Sequence, residues 1–132
     1  MISRMKHRDS KNAQSILDAA EREMQFTLKQ PVSEESSFNI IRNIYECFRM
    51  LGDAILVSRG IVSQDHVEQI RELELIQVET KRPIKLIDSL RKLRHNINYY
   101  GFNPRKTDSD DAISFARTCF SKFAEGIKKL VQ

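Results

Sequence analysis

Arg91, Arg94, His95 and Asn98 stand at i, i+3, i+4 and i+7, which places them on one stripe of an α-helix. Two guanidinium groups, an imidazole and a carboxamide side by side supply positive charge and hydrogen-bond donors. That is the chemistry of phosphate binding, and arginine's planar fork fits two phosphate oxygens at once. From Lys81 to Lys106 the bases are Lys81, Arg82, Lys85, Arg91, Lys92, Arg94, Arg105 and Lys106, against one acid, Asp88. A solvated helix face ordinarily interleaves both signs for pairing, and this one does not. Tyr99 and Tyr100 close the stretch, and a tyrosine ring can stack on an unpaired base. The residues that present themselves for phosphate or nucleic acid are therefore Arg91, Lys92, Arg94, Asn98 and Tyr100.

Other chemistries lack the residues they need. Four scattered glycines make no phosphate-cradling loop. His7, His66 and His95 are far apart in sequence and the two cysteines are unaccompanied, so no zinc spacing appears and no metal or cofactor is expected. Asp65-His66 reads most simply as the first turn of a helix.

These side chains must be positioned by helices. With 132 residues, 40% hydrophobic and 30% charged, the chain is sized for one globular domain with a real core. Four Gly and three Pro leave few breaks, which favours long helices. Residues 1–8 are expected to be a basic, frayed tail ahead of a single helical domain over 9–132. Asp9 or Ser10 caps a first helix running to about Lys29, with Ala13, Ile16, Leu17, Ala20, Met24, Thr27 and Leu28 on its apolar side. Ser33 or Ser36 caps a second, to about Arg59, with the stripe Phe38, Ile41, Ile44, Tyr45, Phe48, Leu51 and Ile55. Gly52 inside that helix costs roughly 1 kcal/mol against Ala, which implies a closely packed neighbour. Gly60 ends it.

A third helix is expected from about Gln64 to Thr80, with Val67, Ile70, Leu73 and Ile76 or Gln77 facing inward and the rest acidic. Pro83 opens the basic helix at a position where a missing N–H is harmless, and Gly101 stops it. Leu86, Leu90, Leu93, Ile97 and Tyr100 form its apolar face, with Arg94 at the border. Thr107 or Ser109 caps a last helix whose stripe is Ile113, Ala116, Phe120, Phe123, Ile127 and Leu130. No alternating run reads as a strand. The expected fold is all-α, an up-and-down bundle of four to five helices. No apolar run is long enough to cross a bilayer. Cys47 and Cys119 fall on apolar helix sides, as small buried hydrophobes in a reducing cytoplasm. The apolar content of the second and last helices exceeds what a lone bundle of this size needs, which predicts a homodimer.

Two segments carry a resemblance. Ile44-Tyr-Glu-Cys-Phe-Arg-Met-Leu-Gly-Asp-Ala-Ile-Leu with Arg59-Gly-Ile-Val-Ser-Gln-Asp-His66, and Leu90-Arg-Lys-Leu-Arg-His-Asn-Ile-Asn-Tyr-Tyr-Gly101, resemble the central and late helices of the HEPN superfamily. These are helical nucleotide-binding domains often encoded beside a minimal nucleotidyltransferase. The resemblance implies a helical bundle, a homodimer, and RNA or a nucleotide as ligand. It also implies a toxin–antitoxin-like module with a nucleotidyltransferase partner. In members that cleave RNA without a metal, the late helix carries an Arg, a following polar residue and a downstream His. The matching positions are Arg94, His95 and Tyr99, so Tyr99 stands where the His would be. The catalytic candidates are Arg94, His95 and Tyr99, and the alternatives to a binding module are an endoribonuclease with a divergent motif or a ligand-free dimeric scaffold. His66 is expected at the opposite end of the bundle from this helix.

Overall fold

A computed structural model describes residues 3–5, 7–76, 86–101 and 103–131. Pro83, Lys81, Arg82, Lys85, Gln77 and Phe102 lie outside those residues. The described elements are β1 (Ser3–Met5), α1 (Ser10–Leu28), α2 (Glu34–Ser58), β2 (Ile61–Ser63), α3 (His66–Leu75), α4 (Leu86–Tyr100) and α5 (Lys106–Val131). The described residues are all-α in character, with five helices.

The caps of α1 and α2 follow the sequence. Asp9 accepts a hydrogen bond from the Asn12 N–H at 2.9 Å and starts α1. Ser33 and Ser36 satisfy each other's backbone N–H groups at the head of α2, with Glu34 and Glu35 in the first turn where the helix dipole favours acids. α3 starts two residues later than expected, capped by Asp65, and stops at Leu75 rather than Thr80 because Ile76 is extended (φ −82°, ψ 129°). Neither Thr107 nor Ser109 caps α5. Its head is held instead by Asp108, which accepts from the Arg105 N–H at 2.9 Å, and Ser109 is buried against Ser37 at 3.0 Å.

Two short strands correct the expectation of none. β1, from the tail expected to fray, pairs antiparallel with β2, Arg4 opposite Val62. Three residues are too few to show alternation, so neither strand is visible as a pattern.

α2 packs against each of the other four helices, and α1 also meets α5. It is accordingly apolar over a little more than half of its circumference: Ile40, Ile41, Ile44, Tyr45, Cys47, Phe48, Leu51, Ala54, Ile55 and Leu56 are all buried. Phe48 meets Phe115 and Phe120 of α5 at ring-centroid distances of 5.1 and 5.3 Å, the second edge to face. Each such fully buried side chain contributes roughly 1.5–3 kcal/mol. α5 turns a slightly different face inward than expected, with Phe115 and Cys119 buried and Leu130 exposed, since Val131 takes its place in the last turn. Val67 of α3 is likewise exposed, and the buried Gln69 shares the inward face with Ile70 and Leu73.

The α2–α3 contact is close because Gly52 permits it. A Cβ there would lie 1.9 Å from the Gln69 carbonyl oxygen, far inside contact distance, so the neighbour implied by this glycine is the α3 backbone. A polar bridge ties the same pair. Gln69 Nε2 donates to the Ser63 carbonyl at 3.0 Å, and Gln69 Oε1 accepts from Arg49 Nη1 at 2.9 Å. Arg49 also grips Glu46 one turn back through one guanidinium edge, Nε and Nη2 each donating to a carboxylate oxygen. Both cysteines are buried thiols, and burial pushes Cys47 up to about 12, which leaves it an inert packing group. Among the described residues no helix is long and apolar enough to cross a membrane.

Candidate phosphate-binding site

α4 is rotated from the orientation its sequence suggests. The buried residues are Ile87, Leu90 and Ile97, and Leu93 is only partly covered. At about 100° per residue, Ile87, Leu90, Arg94 and Ile97 share roughly 80° of arc. Arg94 is therefore not at the border of the apolar face but within it. Tyr100, expected on that face, projects past the end of the bundle and is 76% exposed.

Arg94 is half-buried, and its guanidinium carbon lies 5.3 Å from the centroid of the Tyr45 ring on α2. The ring face attracts the cation and holds it in place. Among the described residues Arg94 has no hydrogen bond or ion pair, so its donor fork is uncommitted. Arg91 and Lys92 differ. Both bind Asp88, at 2.9 and 3.4 Å, and the Arg91 hydrogen bond, with Lys92 adding to it, holds the Asp88 carboxyl below the usual range. Asn98 is exposed beside them.

His95, Tyr99 and Tyr100 form a separate group on the outward side. The His95 ring is 4.6 Å from that of Tyr99 and 5.7 Å from that of Tyr100, and both tyrosines are more than two-thirds exposed. The residues singled out by sequence thus divide in three: Arg94 against Tyr45, the Arg91–Asp88–Lys92 knot, and an exposed aromatic cluster.

The structure adds residues that the motif does not contain. His66, at the first position of α3, places its ring 6.0 Å from Tyr45, so it lies beside the Arg94 site and not at the far end of the bundle. Burial lowers its pKa, Arg49 and Arg94 lower it further, and Glu46 and Asp65 oppose them. Burial also pushes Glu46 up, but the Arg49 hydrogen bonds and charge, with His66 and Arg94 behind, outweigh it and leave the carboxyl below its ordinary range. The Glu46–Arg49 spacing of one turn was open to notice in the sequence. The approach of His66 was not, since it depends on the β2 turn. Between α3 and α4 runs a groove of about 240 Å³ lined by Val67, Ile70, Arg71, Glu74, Asp88 and Arg91. No group of three His, Cys, Asp or Glu is placed to hold a metal among the described residues.

The apolar residues of α2 and α5 are mostly buried inside the chain, Leu130 excepted. Among the described residues the large apolar side chains left exposed are Phe26, Val67, Leu75, Tyr99, Tyr100 and Leu130. Comparison with protein-family models, curated proteins and solved structures finds no significant match.

Proposed function

We propose that the chain is a HEPN-like helical domain that binds RNA or nucleotide phosphates through α4, as one half of a two-component module whose partner is a nucleotidyltransferase. The observation that carries this reading is Arg94: a half-buried arginine pinned on an aromatic ring, with no carboxylate paired to it among the described residues. A half-buried guanidinium with an uncommitted donor fork is a ready partner for a phosphate oxygen pair. The exposed His95–Tyr99–Tyr100 cluster beside it offers rings for bases to stack on. Single-stranded RNA is expected to bind the whole chain, with affinity falling as salt rises. No binding even at low salt would leave the ligand-free scaffold as the better account.

On this reading RNA cleavage is weak or undetectable, because Tyr99 occupies the position of the motif His and a phenol is a far poorer base at neutral pH than imidazole. His95, one residue after Arg94, points about 100° away from it and is taken up with the tyrosine rings. Tyr99→His is expected to raise cleavage of a labelled RNA above the wild-type level. Robust wild-type cleavage that survives both Tyr99→Phe and His95→Ala would place the chemistry elsewhere.

The same reading makes the protein a two-fold homodimer, with roughly 800 Å² buried per partner. Sedimentation is expected to give twice the chain mass of 15.4 kDa at tens of micromolar. A single 15.4 kDa species there would refute the dimer.

A further inference from the structure

Tyr45 is wholly inaccessible, and its hydroxyl oxygen finds no hydrogen-bond partner among the described residues. An unpartnered buried hydroxyl is destabilising, and a native structure that retains one usually puts it to use. The surroundings indicate what use. Burial raises this phenol's pKa, while Arg94, Arg91 and Arg49 all pull it down, so three cations act on the hydroxyl. Two of them are committed, Arg49 to Glu46 and Gln69, and Arg91 to Asp88. Arg94 is not, and the His66 ring stands on the neighbouring helix 6.0 Å from the Tyr45 ring.

We propose that the Tyr45 hydroxyl, the His66 imidazole and the Arg94 guanidinium form a pocket for one phosphate group where α2, α3 and α4 meet. It rests on the reading of α4 as a phosphate-binding helix and says which phosphate contacts are built into the fold. Three donors from three helices suit a tetrahedral anion, whose oxygens point in different directions, better than a planar carboxylate. The guanidinium lies over the ring at 5.3 Å, and its charge reaches the hydroxyl. An anion held there by Arg94 supplies the hydroxyl's missing acceptor. Arg91, whose charge also reaches the phenol, lines the neighbouring α3–α4 groove.

The test uses the whole chain and inorganic phosphate, with His66 followed by proton NMR. The charges facing His66 are Glu46 and Arg49 on α2, Asp65 on its own helix and Arg94 on α4. A phosphate added among them favours the imidazolium, so the His66 pKa is expected to rise on phosphate addition. Tyr45→Phe keeps the ring and removes the orphan hydroxyl. It is expected to melt at or above the wild-type temperature and yet bind phosphate about tenfold more weakly. His66→Gln is expected to weaken phosphate binding severalfold. A Tyr45→Phe protein that is stabilised but binds phosphate as well as wild type would overturn the pocket, as would a wild type whose His66 titration ignores millimolar phosphate. RNA binding measured alongside separates the two claims. RNA lost with Arg94→Ala but phosphate unmoved by Tyr45→Phe overturns the pocket alone. Phosphate weakened by Tyr45→Phe while RNA binding ignores Arg94→Ala supports the pocket and sinks the wider reading.

Discussion

Gly52→Ala is expected to lower the unfolding free energy by about 3 kcal/mol or more, at or beyond the upper end of ordinary overpacking. The added methyl would meet the Gln69 carbonyl oxygen at 1.9 Å and its carbon at 2.6 Å, and these are backbone atoms of a neighbouring helix, which cannot swing aside. α3 must move as a body. Its displacement would also break the Gln69 bonds to Ser63 and Arg49. For a chain of this size the loss corresponds to a fall in Tm of roughly 10 °C. Helix propensity alone predicts the opposite sign, a gain of roughly 1 kcal/mol, so thermal denaturation of this one variant decides whether α3 sits where described. A rise in Tm would mean that it does not.

Arg94→Ala is the counterpart in binding. A charge-assisted bidentate contact contributes about 1.5–3 kcal/mol, so the affinity for RNA is expected to fall roughly 10- to 150-fold. Holding the guanidinium on Tyr45 reduces the entropy lost when it binds. The cost to stability is small by comparison, about 1 kcal/mol for a partly buried cation–π contact. Lysine is a poor replacement, since it lacks the fork and the flat face that stacks on the ring. If Arg94→Ala instead unfolds the protein and leaves binding by the folded fraction intact, Arg94 is a structural residue.

The fold was largely legible in the sequence where periodicity had only one solution. In α1 and α2 the apolar residues define a single face, broad in α2, and the caps at Asp9 and Ser33 stand at their heads. α4 was harder. Its apolar residues spread over roughly 140° of arc, from Tyr100 and Leu93 at one edge through Ile97 and Leu90 to Ile87 at the other, and the helix by itself does not decide which edge is buried. α2 decides, by burying Ile87 and with it Arg94. The candidate site was half visible for the same reason. Arg94 was identified, but Tyr45 read as one more ring in an apolar stripe, since a hydrophobic pattern does not register a hydroxyl without a partner. His66 reaches Tyr45 only because a three-residue strand and a short turn reverse the chain ahead of α3, and nothing local in the sequence encodes that distance.

The central claim is that α4 binds phosphate through an arginine set into the fold, and one measurement tests it most directly. Fluorescence anisotropy of a labelled single-stranded RNA, titrated with wild type, Arg94→Ala and Arg105→Ala over a series of salt concentrations, separates a built contact from general attraction. Arg105 is an exposed base beyond the end of α4 and supplies only screened attraction. The account predicts that Arg94→Ala binds at least tenfold more weakly than wild type at every salt concentration, while Arg105→Ala stays within about twofold and differs least at high salt. Equal losses from the two variants, both vanishing as salt rises, would contradict it.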